Sequence, residues 1–315
     1  MQPDHQHEDK SNRTPDRPLA PGLYLVATPI GNLEDITLRA LRVLRSADRI
    51  ACEDTRQTQK LLNHFAIRTP TVSYHRHNEA ARAAELVAEL AAGARIAVVS
   101  DAGTPGIADP GGQIAAAAIA AGVHVFPIPG PNAAISALIA SGLTNSPTTE
   151  ADSPTPESDN PERFTFHGFL PAKEGQRRTA LEALRTAHSP HPQIFYEAPH
   201  RILATLADIE SIFGPAQHIV IARELTKLHE EFLRGPVAEI RATLAARPSV
   251  RGEIVLLFTP APPAATTESP TTIAAEVRTL TQQGLSEKDA LKQIARTRNL
   301  SKSAAYRELQ RNRSK

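Results

Sequence analysis

The sequence predicts an α/β fold with two α/β domains and a small all-α domain at the C-terminus. Short apolar runs alternate with helical patterns from residue 22 to residue 258, which is typical of α/β units with a largely parallel sheet. A proline-rich acidic segment interrupts the alternation at 144–162. The chain of 315 residues is long enough for two domains of ordinary size and a small third one.

Four apolar runs define the strands of the first block, and each of them ends in a turn signal. These strands are predicted at 22–27, 49–52, 95–100 and 123–128. Helices are predicted at 38–47 and 113–121, and in the stretches that end at Ala92 and Ser141. The first α/β domain is therefore expected at 21–143.

The segment 144–162 contains four prolines and five acidic residues, with no lysine or arginine. It cannot bury enough apolar surface to offset the entropy of ordering, so we interpret it as a disordered linker. The second α/β domain follows at 163–258. Its predicted strands are 164–166, 193–196, 218–222 and 253–258, and its predicted helices are 177–187, 200–213 and 237–246. A second proline-rich linker is expected at 259–272.

The net charge of +1 conceals a strong segregation of charge. From residue 270 onward the chain has ten Lys and Arg against four Asp and Glu, whereas the rest has 25 basic and 30 acidic residues. Ser286 and Ser301 are predicted N-caps of two helices whose short connection resembles a helix-turn-helix. The basic domain 273–315 is thus interpreted as RNA-binding, the alternative being a solvated hairpin without a partner. Its candidate RNA contacts are Lys302, Arg307 and Arg311.

Several classes of protein are excluded by features that the sequence lacks. The polar residues 1–20 have no apolar core, so we expect a disordered leader and not a signal peptide. No run of 18 apolar residues predicts a membrane span. A single cysteine, Cys52, excludes a disulfide framework. The absence of G-x-G-x-x-G and G-x-x-x-x-G-K-[ST] argues against a Rossmann dinucleotide site and a P-loop NTPase. We expect a cytoplasmic protein.

Four loops at strand ends carry the candidate chemistry of the first domain. They are 28–32 (TPIGN), 53–56 (EDTR), 101–106 (DAGTPG) and 129–131 (PGP). Ligands of open α/β sheets bind beyond the carboxyl ends of the strands, so the four loops are expected to converge on one pocket. Any one of them alone is equally compatible with an ordinary turn between a strand and a helix.

An ordered series of seven motifs resembles the tetrapyrrole methylase superfamily. The motifs are 27–33 (ATPIGNL), 53–56 (EDTR), 99–105 (VSDAGTP), 129–131 (PGP), 168–171 (GFLP), 195–201 (FYEAPHR) and 222–227 (ARELTK). Within the superfamily, they are most similar to the branch that methylates the ribose 2′-OH of a cytidine in the decoding region of 16S rRNA. The resemblance spans about residues 21–258, and the segment 144–162 departs from it as an insertion.

The resemblance implies a homodimer that binds S-adenosylmethionine in a cleft between the two α/β domains, and the small ribosomal subunit as partner. The cofactor contacts that it implies in the first domain are Asp101, Ala102, Gly103, Thr104, Pro105, Gly106, Pro129, Gly130 and Pro131. Those that it implies in the second domain are Phe169, Leu170, Tyr196, Ala222, Arg223, Glu224 and Gly252.

Methyl transfer to a hydroxyl group calls for a general base, and a pair of carboxylates at a strand end is a sensible source. We therefore choose Glu53 and Asp54 as catalytic candidates, with Arg56 to orient one of them or to bind a flanking phosphate. The alternative is that one carboxylate caps the helix that begins near Thr55.

A second polar cluster, 75–79 (HRHNE), has no third metal ligand nearby, so no metal is expected. Arg76 and Asn78 are candidates for RNA contact, although Asn78 is also a candidate helix cap. Lys227 is a further candidate for phosphate contact. The charged groups of the 195–201 and 222–227 motifs are equally compatible with a structural network of ion pairs.

Two other functions stay open at this point. A tetrapyrrole or corrinoid C-methyltransferase belongs to the same superfamily, but the basic tail serves no evident purpose in an enzyme for small substrates. A non-catalytic RNA-binding assembly factor is the second alternative, and failure to bind S-adenosylmethionine would favour it.

Overall fold

The computed structural model describes residues 18–75, 78–144, 163–187, 189–260, 273–282, 285–297, 305, 306 and 309. The chain divides into two compact units, 1–260 and 261–315. Both five-stranded sheets belong to the first unit. In the described part of the chain, no helix has the length and apolar character needed to cross a membrane.

The first sheet has five parallel strands in the order β3-β2-β4-β1-β5. The strands are β1 (Gly22–Val26), β2 (Arg49–Cys52), β3 (Thr71–Ser73), β4 (Arg95–Val99) and β5 (Val125–Ile128). The helices between and after them are α1 (Leu38–Ser46), α2 (Thr55–His64), α3 (Glu79–Ala91), α4 (Gly112–Ala120) and α5 (Ala133–Ser141). A short 3-10 helix, Leu33–Asp35, precedes α1. The largely parallel sheet predicted for this domain is confirmed.

Helices cover both faces of the first sheet, as a parallel sheet requires. Val43 and Leu44 of α1 and Leu62 of α2 are buried on one face. Leu86 of α3 and Ile114 of α4 are buried on the other. Leu19 is buried beside α1 and α2 as well. The packed body therefore begins before residue 21, within the segment that we expected to be a disordered leader.

The second sheet is mixed, with the order β6-β7-β10-β8-β9. Its strands are β6 (Thr165–Phe169), β7 (Gln193–Glu197), β8 (His218–Arg223), β9 (Glu231–Pro236) and β10 (Ile254–Phe258). Its helices are α6 (Glu174–Ala187), α7 (Ile202–Phe213) and α8 (Val237–Ala245). Among the described strands of this sheet only β6 and β7 pair in parallel, whereas β10 is antiparallel to β7 and β8, and β8 is antiparallel to β9. Strands β3 and β9 were not predicted from the sequence.

The two sheets of the first unit share a buried contact through α5. Ala137 and Leu138 of this helix pack with Val255 and Leu257 of β10. Arg234 of β9 strengthens the contact, because its Nη2 donates to the carbonyl oxygen of residue 140 at 2.6 Å. The apolar contact holds the end of β5 next to the second sheet.

The second unit contains α9 (Ile273–Gln282) and α10 (Glu287–Thr297), which pack through Val277 and Ile294. Ser286 precedes α10, and its Oγ accepts a hydrogen bond from Asp289 N at 3.2 Å, which is N-cap geometry. The predicted RNA contacts Lys302, Arg307 and Arg311 lie outside the described residues, as do Arg76, Ser301 and nearly all of both predicted linkers.

Candidate functional site

Three strand-end loops of the first sheet meet at one rim. Thr28 N donates to Gly103 O at 2.8 Å, and Gly103 N donates back to Thr28 O at 3.0 Å. Asp54 N donates to Asp101 Oδ1 at 3.1 Å. The parallel strand order brings the ends of β1, β2 and β4 together, so these loops converge as the strand-end rule predicts.

The loop after β5 completes the rim. Thr104 Oγ1 donates to Pro131 O at 3.1 Å. Asn132 caps α5, because its side chain accepts from Ile135 N at 3.1 Å. Gly130 lies against Ala27, where a Cβ would approach the Ala27 Cβ to 3.0 Å. Gly130 therefore allows a close approach of two backbone segments.

A cavity of about 370 Å³ lies between this rim and the second sheet. Its lining from the first half is Ile30, Asp101, Ala102, Gly103, Thr104, Ile107, Ala108, Asp109, Asn132 and Ala133. Its lining from the second half is Phe169, Tyr196, Glu197, Ala198, Pro199, Ala222, Leu225, Glu253, Ile254 and Val255. We call residues 101–112 the first wall and residues 222–227 with 252–255 the second wall. This size and mixture of apolar and polar groups is typical of a small-molecule site.

Carboxylates contribute most of the charge around the cavity. Asp101, Asp109 and Glu253 line it together with the half-buried Tyr196. Burial raises the pKa of the Tyr196 phenol, and the negative charges of Asp109 and Glu253 add to that shift. The phenol stays neutral at neutral pH, so the carboxylates supply the charge at the cavity and favour a ligand that carries positive charge.

A buried carboxylate anchors one end of the first wall through hydrogen bonds. Glu79 is 8% exposed, and its Oε1 accepts from the Tyr74 hydroxyl at 2.8 Å and from Gly111 N at 3.3 Å. The Tyr74 pKa is raised, first by burial and then by this hydrogen bond. The wall also contains Ala108 at a φ of 63°, a conformation that costs energy for a residue with a Cβ. Glu79 thus fixes the end of a strained loop.

Ion pairs hold the second wall. Lys227 Nζ lies 2.8 Å from Glu224 Oε1 and 2.9 Å from Glu253 Oε2. Lys227 lowers the pKa of the Glu224 carboxyl through its hydrogen bond. Gly252, at a φ of 91°, lies so close to Glu224 that a Cβ there would approach the Glu224 Cδ to 2.5 Å. Glu224 therefore fills the space that a side chain at residue 252 would need.

The turn of the second wall also contacts the loop after β1. Glu224 and Thr226 have positive φ values of 53° and 64°. Residues other than glycine are uncommon in this region, and a β-branched residue such as Thr226 is rare there. Asn32 N donates to Thr226 Oγ1 at 3.1 Å, which links the two halves of the first unit. Gly31 lies against the Lys227 side chain, where a Cβ would overlap it. Backbone strain at such a junction is common in ligand sites.

The predicted catalytic candidates lie beside the cavity and do not line it. Asp54 is exposed and caps α2, because its Oδ1 accepts from Arg56 N at 2.7 Å. This is the capping role that the sequence left open for one of the two carboxylates. Glu53 is half-buried, and Arg56 is exposed in the first turn of α2. The bond from Asp54 N to Asp101 Oδ1 is the link between this group and the cavity.

Seven of the sixteen candidate cofactor contacts line the cavity. They are Asp101, Ala102, Gly103, Thr104, Phe169, Tyr196 and Ala222. The other nine do not line it in the described structure: Pro105, Gly106, Pro129, Gly130, Pro131, Leu170, Arg223, Glu224 and Gly252. Lining residues that the sequence analysis did not select include Asp109 and Val255.

Charged side chains of the second half form ion pairs with other protein groups. This is the structural role that the sequence left open for the motifs 195–201 and 222–227. Arg223 Nε lies 2.9 Å from Glu231 Oε2 and its Nη1 donates to Arg251 O, so its guanidinium points to protein partners. Arg201 Nε lies 3.2 Å from Glu197 Oε1, and Thr205 donates to Glu197 Oε2 at 2.6 Å.

Two candidate RNA contacts have partners within the protein. Asn78 accepts from His75 N through Oδ1 at 2.8 Å and donates to Ser73 O at 3.3 Å, so its side chain orders the turn before α3. Lys227 belongs to the ion pairs of the second wall and is half-buried.

Comparisons with known proteins place these features in a family. Residues 22–241 match the model of the Tetrapyrrole (Corrin/Porphyrin) Methylases. A ribosomal RNA small subunit methyltransferase I from Synechocystis sp. is 44% identical over 285 residues, which cover 90% of this chain and 95% of that protein. The protein of the same name from Halalkalibacterium halodurans is 52% identical over 235 residues, 75% of this chain and 74% of that one.

Solved structures show the same fold at low sequence identity. A crystal structure of diphthine synthase matches with a TM-score of 0.56 at 14% identity, over 75% of this chain and 89% of that one. A cobalt precorrin-4 methyltransferase matches with a TM-score of 0.52 at 14% identity, over 75% of this chain and 94% of that one. The fold expectation is therefore confirmed, and so is the resemblance to the superfamily. The chain belongs to the tetrapyrrole methylase family and, within it, groups with the proteins named ribosomal RNA small subunit methyltransferase I.

Proposed function

We propose that this methyltransferase uses S-adenosylmethionine to methylate the ribose 2′-OH of a cytidine in the decoding region of 16S rRNA. The observation that carries the proposal is the cavity between the two halves of the first unit, in a chain 44% identical over 90% of its length to a ribosomal RNA small subunit methyltransferase I. When bound, the cofactor supplies an electrophilic methyl group on a sulfonium.

The lining of the cavity fits this cofactor chemically. Ile30, Ile254 and Val255 offer apolar surface for the purine ring and the methylene groups of the cofactor. Asp101, Asp109 and Glu253 offer negative charge to the sulfonium and the ammonium group. The strand-end loop at Gly103 and Thr104 brings main chain to the wall of the cavity.

The residues of this chain act by positioning and by proton removal. The two walls exclude water and align the ribose oxygen with the methyl carbon, and alignment of this kind contributes about 7–11 kcal/mol in favourable cases. When the C–O bond forms, the bond between the methyl carbon and the cofactor sulfur would break with its electron pair left on sulfur, giving S-adenosylhomocysteine, and the 2′-OH proton would pass to a general base. We propose Glu53 or Asp54 for this role, at the edge of the cavity beside Asp101. Arg56 orients a carboxylate or binds a phosphate.

The remaining parts of the proposal concern the environment of the reaction. The enzyme acts in the cytoplasm on the small ribosomal subunit, as a homodimer. The basic segment 273–315 docks on folded rRNA, and Lys302, Arg307 and Arg311 contact its phosphates.

The function is tested with small subunits from a strain that lacks the enzyme. The purified protein is incubated with these subunits and methyl-labelled S-adenosylmethionine, and the product is digested to nucleosides. We expect label in 2′-O-methylcytidine from one site in 16S rRNA. No transfer, or transfer to a base, would contradict the proposal.

The base assignment predicts that Glu53→Gln and Asp54→Asn reduce turnover about 10²-fold or more in at least one case, because a general base typically contributes 10²–10⁴-fold. The affinity for S-adenosylmethionine, measured by calorimetry, should change little in either variant because neither side chain lines the cavity. Full activity in both variants would remove the assignment.

A further inference from the structure

A row of cations covers one face of the first sheet. Helices α1 and α2 both pack on this face. Neither helix contains an aspartate or a glutamate. Together they carry Arg39, Arg42, Arg45, Arg56 and Lys60, which we call the α1–α2 cations.

The α1–α2 cations form no ion pair with a described residue. Arg45 donates to Phe65 O at 3.1 Å, and Lys60 donates to Gln57 Oε1 at 2.8 Å, so their only described side-chain partners are neutral. Cations just outside these helices are paired, since Arg49 lies 3.2 Å from Glu89 and Arg95 lies 2.6 Å from Asp48. The charge of the α1–α2 face is therefore not neutralised within the described structure.

The helices on the opposite face of the same sheet have no excess of positive charge. Helix α3 contains Glu79, Glu85 and Glu89 against Arg82, which is paired with Glu85. Helix α4 contains no charged residue. The cationic surface thus belongs to one face of the domain, and it is not a property of the whole domain.

The α1–α2 cations extend away from the cavity rim. Both helices follow the carboxyl end of a strand, so their first turns lie at the rim and their last turns lie at the other edge of the sheet. The bond between Asp54 N and Asp101 Oδ1 ties the start of α2 to the lining of the cavity. Spacings of three and four residues keep the cations of each helix on one side, over about 9 Å from Arg39 to Arg45.

We infer that the α1–α2 cations bind the phosphate backbone of the RNA that flanks the target nucleotide. The inference rests on the proposed function and adds to it a docking surface outside the cavity. Phosphate contacts position a nucleic acid and supply most of its affinity, whereas the cavity selects the reacting ribose. A phosphate track that begins at the rim holds the chain in register while one nucleotide enters the cavity.

The test compares two double variants that each remove two exposed cations. Arg39→Gln/Lys60→Gln removes charge from the α1–α2 face. Arg163→Gln/Arg185→Gln is the control. Arg163 is exposed before β6, Arg185 is exposed near the end of α6, where it donates to Ile212 O of α7, and neither residue lines the cavity. A second α1–α2 variant, Arg42→Gln/Lys60→Gln, removes a different arginine and shows whether the result depends on a local folding defect caused by Arg39→Gln. Thermal unfolding shows whether each variant is folded.

Methyl transfer to assembled small subunits is measured at several salt concentrations. We expect the α1–α2 variants to raise the KM for subunits about tenfold near physiological salt and to reduce the slope of log affinity against log salt by about 2. The control should stay within about twofold of the parent. The affinity for S-adenosylmethionine should be unchanged in all variants.

Each possible result either supports the inference or contradicts it. Equal KM values in the α1–α2 variants and the control would overturn it and leave the proposed function intact. A raised KM without a change in the salt slope would indicate contact with ribosomal protein and would also overturn it. A parent enzyme that transfers no methyl group would remove the proposed function and the inference together.

Discussion

The two walls of the cavity are held by different forces. The first wall is anchored by Glu79, a buried carboxylate that accepts from Tyr74 and Gly111. The second wall is anchored by ion pairs of the half-buried Lys227 and Glu224, with an exposed partner in Glu253. Buried hydrogen bonds are costly to break and little affected by salt, whereas ion pairs near the surface are screened. The first wall is therefore expected to stay rigid under conditions that loosen the second.

The largest effect is expected from Glu79→Leu, which leaves the Tyr74 hydroxyl and Gly111 N without their acceptor. Each unsatisfied buried donor costs about 1–3 kcal/mol, so we expect the free energy of unfolding to fall by about 3 kcal/mol. Denaturant unfolding measures the loss. The affinity for S-adenosylmethionine should fall as well, because the first wall loses its anchor.

Glu79→Gln is the matched control for the first wall. Its amide oxygen can still accept from both donors, so we expect a loss of about 1 kcal/mol or less. If the leucine and glutamine variants lose equal stability, hydrogen bonding at residue 79 does not hold the wall.

Gly252→Ala tests the second wall and is expected to cost about 2 kcal/mol. The positive φ of residue 252 is unfavourable for a residue with a Cβ. The new Cβ also displaces the Glu224 side chain from its contact with Lys227. Gly93→Ala has a similar φ of 96° but no atom within 4 Å of the added Cβ, so it isolates the backbone cost. Only Gly252→Ala should also weaken cofactor binding. Equal losses of stability and affinity in the two variants would argue against the role of Glu224.

The smallest effect is expected from Glu231→Gln and depends on pH. Hydrogen bonds, first from Arg247 and then from Arg223, lower the pKa of the Glu231 carboxyl to about 2. A lowered pKa stabilises the fold above the unfolded-state value near 4.5, and this contribution is lost as the pH falls toward 2. We expect the variant to lose about 1 kcal/mol at pH 7, because partial exposure screens the pair. The difference in unfolding free energy between parent and variant should disappear near pH 2.

The sequence was sufficient to predict features that follow from general rules of α/β folds. The strand at 95–100 and the convergence of the loops at Thr28 and Gly103 are of this kind, because parallel strands end at one edge of a sheet. Strand β9 was missed because Glu231–Pro236 is partly exposed throughout and has no apolar run. Strand β3 has three residues, none of them fully buried.

Details of the candidate site depended on contacts that a linear pattern does not contain. Glu79 reaches Gly111 across 32 residues, so its anchoring role follows from packing and not from the motif in which it stands. Arg223 ends a strand near the cavity, yet Glu231 and Arg251 draw its guanidinium to other partners. From sequence, either Glu53 or Asp54 could cap the helix that begins near Thr55, and the structure shows that Asp54 is the cap.

A crystal structure of the protein with S-adenosylhomocysteine tests the central claim most directly. The account predicts that the ligand lies between the two walls, in contact with Gly103 and Thr104 on one side and with Val255 on the other. Its sulfur should face the rim beside Asp101, where the ribose of the RNA would enter. A ligand bound elsewhere on the chain, with the cavity between the walls unfilled, would contradict the account.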